Sequence, residues 1–178
     1  MVVLIKKPAG QEQIDRLIGW LEGFDLQVHV TEGMMQTILG LVGDTWTERG
    51  SSRSADGGPH PRMQLNVMSY PMAAFLAIDA SRVPMAGDQL YLDLDLSHDN
   101  LPVGSHLLFG DPDDPASVIE VTEEPHTGCK KFVARFGAAG MRFVNGPIGR
   151  PLRLRGLNAV VVQAGEVRPG DRVTVRRP

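Results

Sequence analysis

From residue 60 onward the apolar runs of this chain are short, and nearly every one stops at a glycine or a proline. "LNVMS" ends at "YP", "HLLFG" at "DPDDP", "ASVIEV" at "TEEP", and "DRVTV" follows "RPG". With 20 glycines and 13 prolines in 178 residues, long helices and a parallel α/β sheet are disfavoured. Many short strands joined by turns favour a barrel-like, mainly β domain with some helix. "QLYLDLDL" alternates most strictly: Leu90, Leu92, Leu94 and Leu96 fall on one face, Asp93 and Asp95 on the other, as in a half-buried strand. Two stretches read otherwise. "MQLNVMSYPMAAFLAI" is strand-like at first and then suits a short helix with proline in its first turn. "KKFVARFGAAGMRFVN" is helix-like or broken by its glycines.

The first 44 residues differ in character. "VVLIKK" reads as a strand before the "KPAG" turn, and Ile14, Leu17, Ile18 and Leu21 then repeat as the stripe of an amphipathic helix, with Gly23 near its end. "LQVHVTEG" and "MQTILGLVGD" read as two further strands, giving β-α-β-β over residues 1–44. "TERGSSRSADGGPHPR" follows as a long loop, of a length that in a compact domain is functional or mobile. Residues 45–178 then form a second unit.

Composition excludes several classes. A single cysteine forms no internal disulfide, and no apolar run reaches the roughly 18–20 residues that cross a bilayer. "MVVLIKKPAG" is too short for a signal peptide and lacks its cleavage pattern, so a cytoplasmic protein with no membrane partner is expected. Charge is unevenly laid out: residues 44–125 carry four basic and fourteen acidic side chains, residues 126–178 eleven basic and two acidic. Such a basic last third either pairs with the acidic middle or meets an anion. Its aromatics, Phe132, Phe136 and Phe143, are spaced as suits packing, and no nucleic-acid partner is expected. No Walker loop, GxGxxG, HExxH or CxxC occurs, and "GSS" at 50–52 is not a nucleophile elbow. The five histidines are scattered, so zinc would need ligands assembled from distant segments. His29 reads as structural, and His98 and His106 as solvated.

Two features carry chemistry. Cys129, in "EEPHTGCKKF", follows Gly128 and precedes Lys130 and Lys131. A lone cysteine commonly serves as a small buried hydrophobe, but neighbouring positive charge favours the reactive thiolate. Further on, "GRPLRLRG" sets Arg150, Arg153 and Arg155 close together. Their planar forks suit phosphate and other oxyanions; the alternative is a solvated charge cluster.

Residues 40–178 resemble a MOSC domain, the C-terminal domain type of molybdenum-cofactor sulfurases, and most of all its small standalone bacterial members. The landmarks are the "NLPVG" turn, "GD" before a strand, "EVTEEPHTGC", and the closing glycine, valine, glycine and aspartate of "GEVRPGDRV". The resemblance implies a MOSC-type β-barrel in which Cys129 carries sulfane sulfur or ligates molybdenum held by a pterin dithiolene. It also implies possible chemistry on N-hydroxylated compounds, as in related reductases, and a sulfur-donor or redox partner protein. Lys130, Arg135, Asn145, Arg150, Arg153 and Arg155, with His60 from "GGPHP", are the residues it suggests for the pterin cofactor or a small-molecule substrate. No pyridoxal phosphate is expected, since the full sulfurases keep it in a separate domain. Residues 1–44 are similar instead to the ferredoxin-like N-terminal domain of DAHP synthases, which senses aromatic amino acids. That similarity implies the alternative of an amino-acid-binding regulatory module without catalytic activity.

Overall fold

The computed structural model describes residues 3–5, 12, 15, 16, 28–32, 37–41, 54–58 and 60–178. Near the N-terminus, β1 (Val3–Ile5), β2 (Val28–Glu32) and β3 (Thr37–Leu41) form a sheet in the order β1-β3-β2. The strand β3 lies antiparallel to both neighbours, so β1 and β2 run the same way on either side of it. Such a pair needs a crossover connection, and this is the split β-α-β arrangement. Residues 12, 15 and 16 are helical, with Glu12 and Arg16 ion-paired one turn apart on the exposed side. The apolar stripe expected at Ile14, Leu17, Ile18 and Leu21, and Gly23, lie outside the described residues.

The second sheet has six strands: β4 (Leu65–Ser69), β5 (Leu90–Leu92), β6 (His106–Gly110), β7 (Pro115–Val121), β8 (Leu157–Gln163) and β9 (Val173–Arg176), in the order β5-β4-β8-β7-β6-β9. Every pair is antiparallel except β4 with β5. That parallel pair is bridged by α1 (Tyr70–Ala77, with proline in its first turn) and a 3-10 helix (Ala80–Ala86). Register shifts after Phe109 and Val118 add local twist, and the sheet curls into a half-barrel. The expected mainly β architecture with some helix is present, and its barrel-like sheet is a half-barrel, with β5 and β9 at opposite edges.

Alternation decides what is buried. Leu65 and Val67 of β4, Leu107 and Phe109 of β6, Ile119 and Val121 of β7, and Leu157, Ala159 and Val161 of β8 pack into one core. Each large side chain buried there contributes about 1.5–3 kcal/mol. Met68, on the other face of β4, packs with Ala73, Ala77, Val83 and Ala86 in a second core under α1 and the 3-10 helix. The strand expected across "QLYLDLDL" stops at Leu92. Asp95 bends the chain by accepting from the backbone and hydroxyl of Ser97, both at 2.9 Å, while its carbonyl takes Asn100 Nδ2 at 2.7 Å. The burial pattern outlasts the ladder: Leu96 stays in the core, and Asp93 and Asp95 stay exposed.

The helix α2 (Lys130–Asn145) breaks at Gly137, whose φ of 76° and ψ of 168° belong to glycine almost alone. Unbroken, sixteen residues would hold the two ends about 24 Å apart. Instead the second half turns back, and Asn145 Oδ1 accepts the backbone N–H of Gly128 at 3.1 Å. Among the described residues no helix is long and apolar enough to cross a membrane.

Candidate functional site: a thiol beside a buried ion pair and a cleft

Cys129 is the residue from which α2 starts, in extended conformation (φ −118°, ψ −177°), and it is exposed. Its approach is pinned by the Gly128–Asn145 bond, and Met141 packs so close that its side chain would have to shift to admit a Cβ at position 128. Partial burial pushes the thiol pKa up. The backbone N–H groups of Phe132 and Lys131, with the charges of Arg155 and Lys131, outweigh that and hold it below the usual cysteine value. The sulfur does not make a capping hydrogen bond, so these N–H groups act as the positive end of the helix rather than as close partners.

Arg155 owes its position to Asp88. The Asp88 carboxylate is fully buried and receives Arg155 Nη1 at 2.9 and 2.7 Å on its two oxygens. Arg155 Nη2 donates to the Ala86 carbonyl at 3.1 Å, and the guanidinium lies over the Phe132 ring, 5.0 Å from its centre. The second partner of the Asp88 carboxylate is His126, with Nε2 at 2.6 Å from Oδ1. Burial, the largest influence, together with the charge of Arg155, holds the His126 pKa below its usual value against the pull of Asp88. Behind the imidazole lie Asn66 of β4 and Asn158 of β8, their amides joined at 2.6 Å. Gly156 (φ 112°) lets this layer close, since a Cβ there would meet the Val67 carbonyl at 2.2 Å and His126 Cδ2 at 3.0 Å.

A cleft of about 360 Å³ opens beside this cluster, lined among others by His98, Glu123, His126, Asn145, Arg150 and Arg153. Arg153 is unusual in it. Its backbone is left-handed (φ 46°), it is only 8% exposed, and Nη1 donates to the carbonyls of Leu101 at 2.6 Å and Leu96 at 3.4 Å. No carboxylate pairs with it among the described residues, and burial lowers its pKa. On the rim, Glu123 is taken by Arg62 at 2.8 Å, a contact that holds its carboxyl below the usual range. Burial first, and then the charge of Arg153, lowers the pKa of His98. A buried cation without a counter-charge is costly, so the cleft is suited to an anion.

The sequence-predicted residues therefore separate. Asn145, Arg150 and Arg153 share the cleft, with Arg150 Nε on the Asn145 carbonyl at 2.9 Å. Arg155 is occupied by Asp88 and serves the thiol through its charge. Lys130 is exposed in the first turn of α2. Arg135 ties α2 to the 3-10 helix through the Met85 carbonyl at 2.8 Å. His60 accepts the Arg62 backbone N–H at 3.3 Å and lies 3.8 Å from Glu124. Among the described residues no three histidine, cysteine, aspartate or glutamate side chains gather to hold a metal ion. Sequence reasoning missed Asp88, Asn66 and Asn158. An aspartate after Gly87 reads as a solvated turn, and its partner lies 67 residues away.

Comparison with known families finds residues 1–54 similar to the DAHP synthase ferredoxin-like domain. No curated protein and no solved structure matches the chain.

Removing the Asp88 carboxylate leaves Arg155 buried and uncompensated. Asp88→Ala is expected to lose about 3–5 kcal/mol of stability in denaturant unfolding; a loss near zero would show that the pair does not hold the site.

Proposed function

We propose that the chain works through Cys129 as a sulfane-sulfur carrier of the MOSC type. The supporting observation is the setting of the thiol: exposed, on a helix N-terminus, with a lowered pKa, next to a cleft that contains an uncompensated arginine. The thiolate attacks the outer sulfur of a donor persulfide. A new S–S bond forms on Cys129 as the donor's own S–S bond breaks, and the donor leaves as a thiolate. The lowered thiol pKa increases the share of Cys129 in the attacking thiolate form.

The resemblance also implies a molybdenum cofactor; Thr127, Asn145, Arg150 and Arg153 line the cleft, and Cys129 follows two residues after Thr127, outside that lining. Arg153 and Arg150, with the Asn145 amide between the cleft and the Cys129 approach, would hold its phosphate, and Cys129 would supply a thiolate ligand. When bound, that cofactor would supply oxygen-atom transfer, the basis for reducing N-hydroxylated compounds. The protein's own part is to present the thiolate, neutralise the phosphate and shape the cleft.

A second reading rests on a separate observation, the family match over residues 1–54 together with the split β-α-β order of β1, β2 and β3. It makes the N-terminal part an aromatic amino-acid sensor. Millimolar phenylalanine or tyrosine is then expected to raise the melting temperature of the full chain, and no shift with either would remove this reading.

For the thiol, incubation with a sulfane-sulfur donor followed by intact mass measurement is expected to add one sulfur atom to the wild-type chain and none to Cys129→Ser. An unmodified wild-type protein would overturn the carrier proposal.

A further inference from the structure

The hydrogen bonds behind the cleft run in one direction only. Both ends can only accept: the backbone carbonyl of Glu124 at one, and the Asp88 carboxylate, already paired with Arg155, at the other. Asn158 must therefore give Nδ2 to the Glu124 carbonyl (3.1 Å), which turns its Oδ1 toward Asn66. Asn66 must then offer Nδ2, at 2.6 Å from that oxygen. The same Nδ2 lies 3.5 Å from His126 Nδ1, so Nδ1 has to be the unprotonated nitrogen. Nε2 carries the proton and donates it to Asp88 at 2.6 Å. One neutral tautomer satisfies every link. Flipping the amides offers no escape, because a reversed Asn158 would set its oxygen against the Glu124 carbonyl.

We propose that His126 is a proton-operated latch for the segment from Glu124 to Cys129: the neutral imidazole closes the chain of hydrogen bonds, and a proton on Nδ1 breaks it and loosens the segment. The imidazole is itself part of that segment, and the chain's far end holds it again at Glu124. Protonation places a donor against a donor at Asn66. It also adds charge beside a pair that is already balanced: Asp88 and Arg155 are the charges that act on the ring, Asn66 and Asn158 are neutral, and Glu123, Glu124, Arg150 and Arg153 line the cleft that His126 borders. Burial and Arg155 favour the neutral ring, in keeping with this geometry. The unfolded chain takes up this proton near the ordinary histidine value of about 6.5, the folded chain only at lower pH. The latch's contribution to stability is thus complete above about pH 6.5 and is lost as pH falls through the folded value.

The latch would regulate the mobility of the segment that carries Cys129, whose thiol is exposed with the latch closed, and its bearing on sulfur transfer rests on the carrier proposal. It is measured without any sulfur chemistry. In the full chain, nitrogen-detected histidine NMR from about pH 7.5 down to the acid limit of the folded state would report the tautomer and titration of His126. Amide hydrogen exchange over residues 126–129, corrected for its intrinsic pH dependence, would report the segment. The expected result is a neutral Nε2–H tautomer near neutral pH, and a rise in exchange of about tenfold on acidification with the same midpoint as the ring. His126→Gln, which cannot take the proton, is expected to lose that rise. An Nδ1–H tautomer, a titration without any change in exchange, or the same rise in His126→Gln would overturn the latch. If His126→Gln does not fold, the two wild-type measurements decide. A protein that latches but never gains a sulfur atom would refute the carrier and leave the latch standing.

Discussion

A single buried carboxylate organises the chemistry of this molecule. Asp88 holds Arg155 with both oxygens and His126 with one, and these partners come from segments 67 and 38 residues away. Through Arg155 it brings positive charge to Cys129, and through His126 it anchors the segment that leads there. A charge removed from water in this way is tolerated only when paired and hydrogen-bonded. The half-barrel core behind it, with the short turn at Gly156, fixes the surrounding backbone closely enough for that pairing.

The break at Gly137 is the second constraint. It converts a helix that would run away from the site into two shorter pieces, the second of which returns Asn145 to Gly128 and to the cleft. The thiol therefore stands on a helix start whose approach is held from behind. The neighbouring cleft offers Arg153, a cation whose only hydrogen-bond partners among the described residues are carbonyls. A thiolate can form a covalent bond to sulfur or ligate a soft metal, and a guanidinium can bind an oxyanion, which is what the proposed function asks of the two groups.

Much of the fold was legible where local rules suffice. The strand and helix of "MQLNVMSYPMAAFLAI" follow from alternation and from proline in a first turn, and the glycines in α2 marked its weak point. The end of β5 at Leu92 was not legible, because Asp95 breaks the ladder with side-chain hydrogen bonds that leave the apolar pattern intact. The mainly β, barrel-like character was legible, but how far the sheet closes was not, because short strands and turns look alike in a barrel and a half-barrel. At the site, Cys129, Arg150, Arg153 and Asn145 stood out as residue types. What separates Arg155 from Arg153 is long-range: one has found an aspartate and the other has not, and nothing in "RLRG" distinguishes them.

The most direct measurement is the alkylation rate of Cys129 in the native chain as a function of pH. A helix start and the Arg155 charge predict fast reaction with a midpoint below the free-thiol value of about 8.5. A midpoint at or above that value, or a thiol that reacts only after denaturation, would contradict a Cys129 centred site.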